Sequence, residues 1–379
     1  MNSESSIKLT DYQIHKNQNE YIVENVRSAE YYEMNESAVE AIKLLDEGKD
    51  LDEIERILLN KFPQDDIDVR GFTEQLVELG FILGDNNSKR IPVPKPSVVD
   101  RISPKIARFF FNTISYTIYL LLFLVNITLL VMHPEFIPHY SDLFISDSLA
   151  VSMLTYLLLS LVLIFFHEMG HVLAVRSHNL STNLSIGHRL FLIVIETDMT
   201  HAWRLKKKER NQLYLSGICF DNVLFLCAIL TQMFFQNSML QAISSLVLLD
   251  IFIKFVYQCC VYMKTDFYYV IENSTGYYNL MERSREWVLG KNIDVTTSRE
   301  KITLWLYGVI YIIGVGLSIL LFIFYMIPQL YYMLRTSLEH LSHPIQTMYF
   351  WDGFVILLQL VIGVGLLLFT WSRSLLNKQ

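Results

Sequence analysis

His167, Glu168 and His171 stand in a His-Glu-x-x-His pattern that continues an apolar run from Leu149 to Phe166. On a helix, positions i and i+4 share a face, so the two imidazoles can hold one zinc ion. The glutamate between them can act as general base toward a water on that ion. The bland alternative is a pair of packed histidines beside a solvated glutamate. Ionisable groups next to a membrane-length apolar stretch are costly and usually functional, which favours the metal reading.

These residues need a membrane scaffold, and the composition supplies one. The chain has 379 residues, of which 52% are hydrophobic, with 24 Phe and 21 Tyr. That is more apolar material than a soluble core of this length uses. Apolar runs at about 109–132, 149–175, 213–235, 239–263, 302–327 and 353–371 each approach the ~20 residues needed to cross a bilayer. The expected architecture is mostly α: about six transmembrane helices behind a small N-terminal α+β domain. The first run begins beyond position 100, so it is no cleavable secretory signal.

Basic residues set the expected orientation. Lys89, Arg90, Lys95, Arg101, Lys105 and Arg108 precede the first run, whereas the loop 133–147 has no Lys or Arg. The loops carrying Lys206, Lys207 and Lys208, and then Lys264, Arg283 and Arg285, fall on the same side as the N-terminus. Both termini are therefore expected in the cytoplasm of a multi-pass cell-membrane protein. The net charge of -7 shows no clustered basic face for nucleic acid. Cys219, Cys227, Cys259 and Cys260 all lie in apolar runs and form no disulfide framework. They read as small fillers, with a metal or redox role for the vicinal pair as the alternative.

Residues 1–85 read as the separate domain. Short alternating patterns near Tyr12 and Tyr21 suggest strands. Asn35-Glu36-Ser37-Ala38 opens a helix with apolar Val39, Ile42 and Leu45, Leu51 to Leu58 a second, and Val69 to Leu79 a third, before Gly80-Phe81-Ile82 turns into a strand. This order of strands and helices, with Asp50-Leu51-Asp52-Glu53-Ile54 and Leu76-Val77-Glu78-Leu79-Gly80-Phe81-Ile82, resembles PqqD-like winged-helix domains over Tyr12 to Leu83. The resemblance implies capture of a leader peptide as an added strand. A winged helix can also bind DNA, but the acids Asp46, Glu47, Asp50, Asp52, Glu53 and Glu55 oppose that here. Residues 86–108, with Pro92, Pro94 and Pro96, read as a linker, and 109–379 as the membrane domain.

A zinc site for hydrolysis needs a third protein ligand. Asp266 lies at the same expected membrane level as His167 and His171 and is the first candidate, with a plain helix-capping role as the alternative. Asp221 ranks second, and Asp250 is expected to pair with Lys254 at i+4. These positions bring in a second resemblance, to the intramembrane zinc metalloproteases of the site-2 protease family. It covers about Leu149 to Tyr278 through His167-Glu168-x-x-His171, Asp266, and Gly217 and Asn222 in the segment Gly217-Ile218-Cys219-Phe220-Asp221-Asn222. It implies His167, His171 and Asp266 as zinc ligands, Glu168 as catalytic base, and Gly217, Asn222 and Asp221 as supporting residues. The chain departs from the family pattern at Phe267, where glycine follows the aspartate, and at Ile218, where proline follows the glycine.

Leu190 to Glu196 is strand-like and suits either an edge that holds an extended substrate or a packed reentrant hairpin. Three functions fit these features. One is proteolytic maturation of a ribosomally made, bacteriocin-type precursor in a bacterium, en route to an exporter. Another is regulated cleavage of a membrane-bound signalling protein. The last is a catalytically silent export or immunity factor. Glu339, His340, His343 and Asp352 are expected to be interfacial polar residues rather than ligands.

Overall fold

The computed structural model describes residues 9–17, 20–82, 97–189, 192–277, 279–288 and 298–376. They fall into two compact units. One comprises residues 1–108, 172–185 and 196–213; the other comprises 109–171, 186–195 and 214–379.

The first unit opens with an antiparallel meander of β1 (Tyr12–Asn17), β2 (Glu20–Asn25) and β3 (Glu30–Met34), in which Val23 faces Ile14 and Tyr32. Three helices follow: α1 (Glu36–Asp46), α2 (Leu51–Lys61) and α3 (Val69–Glu78). Asn35 caps α1 by accepting from the Ala38 N–H, and Asp68 caps α3 by accepting from that of Gly71. Gly48 and Gly80 end α1 and α3 with φ of 77° and 73°, the left-handed conformation that a helix stop uses. Val39, Ile42 and Leu45 of α1 meet Ile54, Leu58, Val69, Leu76 and Phe81 in one core beneath the sheet. The strand expected at Gly80-Phe81-Ile82 is a single bridge from Ile82 to Leu9, joined by the Thr10 N–H to the Phe81 carbonyl at 2.7 Å.

The sheet's second face meets a segment from much later in the chain. Arg204 Nε donates to Glu24 Oε2 at 3.0 Å and its Nη2 donates to Oε1, while Tyr31 Oη and His201 Nδ1 lie 2.7 Å apart. Glu24 is buried. Burial opposes its ionisation, but the hydrogen bonds from Arg204 and His15 prevail and hold its carboxyl below the usual range. Residues 97–108 are not the tail of an extended linker. A short 3-10 turn and α4 (Pro104–Phe110) occupy them, with Asp100 Oδ1 accepting from the Thr182 N–H and Arg108 Nε donating to the Ser177 carbonyl. Residues 86–96 of the expected linker lie outside the described part. Arg210, fully buried, lays its guanidinium 4.5 Å from the Trp203 ring.

The second unit is built from long apolar helices: α5 (Thr113–Met132), α6 (Leu149–Ser177), α8 (Ser216–Phe234), α9 (Ser238–Gln258), α12 (Ser298–Leu321), α13 (Ile327–Leu341) and α14 (Met348–Leu376). In chain order the two-stranded sheet β4 (Leu184–Arg189) and β5 (Leu192–Thr197) follows α6, α7 (Lys207–Tyr214) closes the first unit, and the short helices α10 (Asp266–Thr275) and α11 (Leu280–Val288) belong to the second. The strand expected over Leu190 to Glu196 is present over Leu192–Thr197, and Leu190 and Phe191 lie outside the described residues.

Among the described residues five helices are long and apolar enough to cross a membrane, as expected of a polytopic membrane protein. The helix α14 is complete at 29 residues, but its described apolar part, Met348–Gly363, is shorter than a span. The fifth runs from Ser298 to Leu341, well past the expected end near Ile327. It passes through a π turn at Phe322–Met326 just before Pro328, whose missing N–H a regular helix cannot accommodate without adjustment. Leu120, Leu154, Leu157, Leu158 and Phe165 are among many large apolar side chains left exposed, as a lipid-facing surface requires. Polar pairs tie the helices inside this apolar setting. Asp250 and Lys254 of α9 lie 2.6 Å apart as expected, and Asn126 of α5 donates to both the main-chain and side-chain oxygens of Asn222.

Candidate metal centre

The helix α6 carries His167 and His171 on one face, and α8 crosses it at minimum distance. Gly170 and Gly217 make that crossing possible. A Cβ on Gly170 would fall 2.6 Å from the Ser216 carbonyl oxygen, and one on Gly217 would fall 2.6 Å from His171 Nε2. Gly217 therefore keeps clear the space in front of both imidazoles.

Asp266 reaches the same point by a backbone device. The helix α9 ends at Gln258, a 3-10 turn follows, and Lys264 takes a left-handed φ of 53°. This reverses the chain so that Asp266 begins α10. The tight turn lies before the aspartate, and Phe267 is simply the second residue of the helix, with no demand for glycine there. Gln258 then clamps Asp266 twice: its Nε2 donates to Oδ2 at 2.9 Å and its Oε1 accepts from the Asp266 N–H at 3.0 Å.

Three atoms converge. His167 Nε2 lies 3.2 Å from Asp266 Oδ2, His171 Nε2 lies 3.3 Å from the same oxygen, and the two Nε2 atoms are 3.3 Å apart. Ligand atoms about 2.0–2.1 Å from a tetrahedral centre are separated by about 3.3–3.4 Å. The triangle matches three ligand atoms around one small cation.

Each corner is oriented from behind. His167 Nδ1–H donates to Asp221 Oδ2 at 2.6 Å, which leaves the Nε2 lone pair facing the shared point. His171 Nδ1 lies 3.1 Å from Ser216 Oγ. Asp221 is buried, and its Oδ1 has no hydrogen-bond partner in the structure. A half-satisfied carboxylate in an apolar helix is expensive unless its other oxygen has work to do, and here that work is on His167. Glu168, partly exposed, offers an oxygen in a group with His167 and His171 whose ligand atoms all lie within 4.8 Å of one another.

The geometry separates the remaining expected residues. Asn222 turns to α5, where its Nδ2 donates to the Tyr119 carbonyl, so it braces the helix that carries Asp221. Cys260 directs its thiol to the Val256 and Gly314 carbonyls. His340 and Asp352 pair at 2.9 Å beside a cavity of about 690 Å³ that Glu339 and His343 also line. Asp352 also accepts from the Leu149 and Ala150 N–H groups and so caps α6. Gln258, Ser216 and Asn126 are site or bracing residues that residue type alone does not reveal, because glutamine, serine and asparagine are too common to signal a second contact shell.

Residues 20–82 match the family described as Coenzyme PQQ synthesis protein D (PqqD). The match falls inside the three-stranded, three-helix domain and includes Glu24 and Tyr31 of the Arg204 contact. No match to the intramembrane zinc metalloprotease family accompanies it. Neither the curated proteins nor the solved structures gave a match. Beyond the PqqD-like domain, the metal centre stands on its own residues and distances.

Proposed function

We propose that this chain is a membrane-embedded zinc metalloendopeptidase that matures a ribosomally made, bacteriocin-type peptide precursor in a bacterium. The observation that carries the reading is the equal-sided convergence of His167 Nε2, His171 Nε2 and Asp266 Oδ2 beside Glu168. Two neutral nitrogens and one carboxylate oxygen are a donor set that suits zinc and leaves a fourth position open. When bound, zinc supplies Lewis acidity toward a carbonyl and a readily deprotonated water.

The chain's own residues do the rest. Asp221 and Ser216 hold the imidazoles in the tautomer that presents Nε2, and Gln258 fixes the aspartate. Glu168 accepts the proton of the attacking water and delivers it to the leaving amine, so one carboxylate serves both proton transfers. Gly217 leaves room for the scissile carbonyl. The β4–β5 pair is a two-stranded sheet, to which an extended peptide whose carbonyls are not shielded by helical hydrogen bonds could add as a further strand. The PqqD-like domain captures the leader of that peptide, and the bilayer surrounds the apolar helices. The Lys and Arg distribution supports a reading in which both termini and the metal centre face the cytoplasm and the product passes to an exporter.

The test is metal content followed by cleavage. Purified wild type and Glu168→Gln should each carry about one zinc per chain, and His167→Ala and Asp266→Ala should carry little. Wild type should then cleave precursor peptides encoded beside it, and Glu168→Gln should not. Absence of zinc from metal-replete wild type would end the proposal.

A further inference from the structure

Next to residues that adjoin the metal centre in sequence lies an open apolar cavity of about 400 Å³, lined among others by Leu215, Cys259, Phe267, Val270, Ile310 and Leu317. Its walls interleave with the site. Leu215 precedes Ser216 and Gly217, Cys259 follows Gln258, and Phe267 follows Asp266. On α10, Val270 lies one turn beyond Asp266 on the same face. We propose that this cavity is a specificity pocket that receives a large apolar side chain of the peptide, at a residue flanking the bond to be cut; this rests on the metalloprotease reading above.

Size and chemistry select the occupant. A closed apolar cavity of about 150 Å³ accommodates benzene, so this one has room for a leucine, phenylalanine or tryptophan side chain with space for adjustment. Its lining residues are two leucines, two valines, three isoleucines, a phenylalanine and a cysteine, with no charged side chain to meet a polar one. Phe267 supplies one wall, set edge-on to Phe255 with ring centroids 6.1 Å apart. This is the residue that departs from the glycine of the site-2 protease pattern. Since the backbone turn there makes no use of glycine, the aromatic ring acts as pocket lining and not as a change to the ligand.

The experiment uses cobalt(II)-loaded full-length protein in detergent and two probes, acetohydroxamate and a hydroxamate bearing an isobutyl group, with binding followed by the cobalt absorption spectrum. Wild type should bind the isobutyl compound about tenfold or more tighter than acetohydroxamate, from burial of the added apolar area. Val270→Trp on α10 and Leu317→Trp on α12, each filling the cavity from a different helix, should keep the acetohydroxamate affinity and lose the gain. Equal binding of both probes by wild type would overturn the pocket while leaving the metal centre intact. A gain that survives both substitutions would also overturn it. So would bound phospholipid displaced by the tryptophans without any change in probe preference, which assigns the cavity to an acyl chain. A cobalt spectrum that acetohydroxamate does not alter would remove the metal reading and the pocket with it.

Discussion

Replacing Asp221 tests whether the metal centre is assembled as the distances indicate. Its Oδ2 accepts from His167 Nδ1 at 2.6 Å, a charge-assisted contact, while its other oxygen is without a hydrogen bond. Asp221→Asn preserves size and can still accept from Nδ1–H, so it removes the charge and keeps the tautomer. Asp221→Ala removes both. Loss of a carboxylate behind a ligating histidine lowers metal affinity by about 10- to 100-fold, or about 1.4–2.7 kcal/mol. Asn belongs at the lower end of that range and Ala at the upper. Competition between each variant and a fluorescent zinc chelator gives the dissociation constants, with circular dichroism to verify that α8 is intact. If both variants held zinc as tightly as wild type, Asp221 would have no part in orienting His167.

Gly217→Ala should abolish metal retention while leaving helicity unchanged, because the added methyl would lie against both Nε2 atoms; one zinc per chain in this variant would refute the close approach. In an ordinary helix the same change would stabilise by up to about 1 kcal/mol. The Arg204–Glu24 contact should show up as protection of residues 200–206 from hydrogen exchange, lost in Arg204→Ala. Because the Glu24 carboxyl is held below its usual value, the contact adds stability above the unfolded glutamate pKa of about 4.3 and loses it as pH falls through the lower folded value. Protection that vanishes already near neutral pH would show that Glu24 is not the partner.

Much of the fold is legible in the sequence because the signals are local and strong. Asn35, Gly48 and Gly80 mark helix limits through capping chemistry, and the apolar runs mark the long helices through length. His167-Glu168-x-x-His171 declares its own geometry once it is on a helix. Asp266 is less legible, since nothing local shows the left-handed turn at Lys264 that brings it to the histidines; a basic residue with positive φ carries no composition signal. The same limit applies to the extent of the fifth helix. Pro328 and the charged residues after it suggest an end near Ile327, but a single π turn absorbs the proline and the helix continues. The Arg204–Glu24 contact, about 180 residues apart in sequence, is invisible to any periodicity.

Asp352 joins the start of α6 to the last helix, so the amino end of the helix bearing the two histidines is capped by a residue made some 200 positions later. During synthesis that end emerges with only the local cap from Ser148 to the Val151 N–H, and the Leu149 and Ala150 N–H groups wait until α14 has followed. A chain interrupted before Asp352 would contain every metal ligand but not the cap of the helix that presents two of them. The full cap of the helix that carries His167 and His171 is thereby the contribution of the last helix.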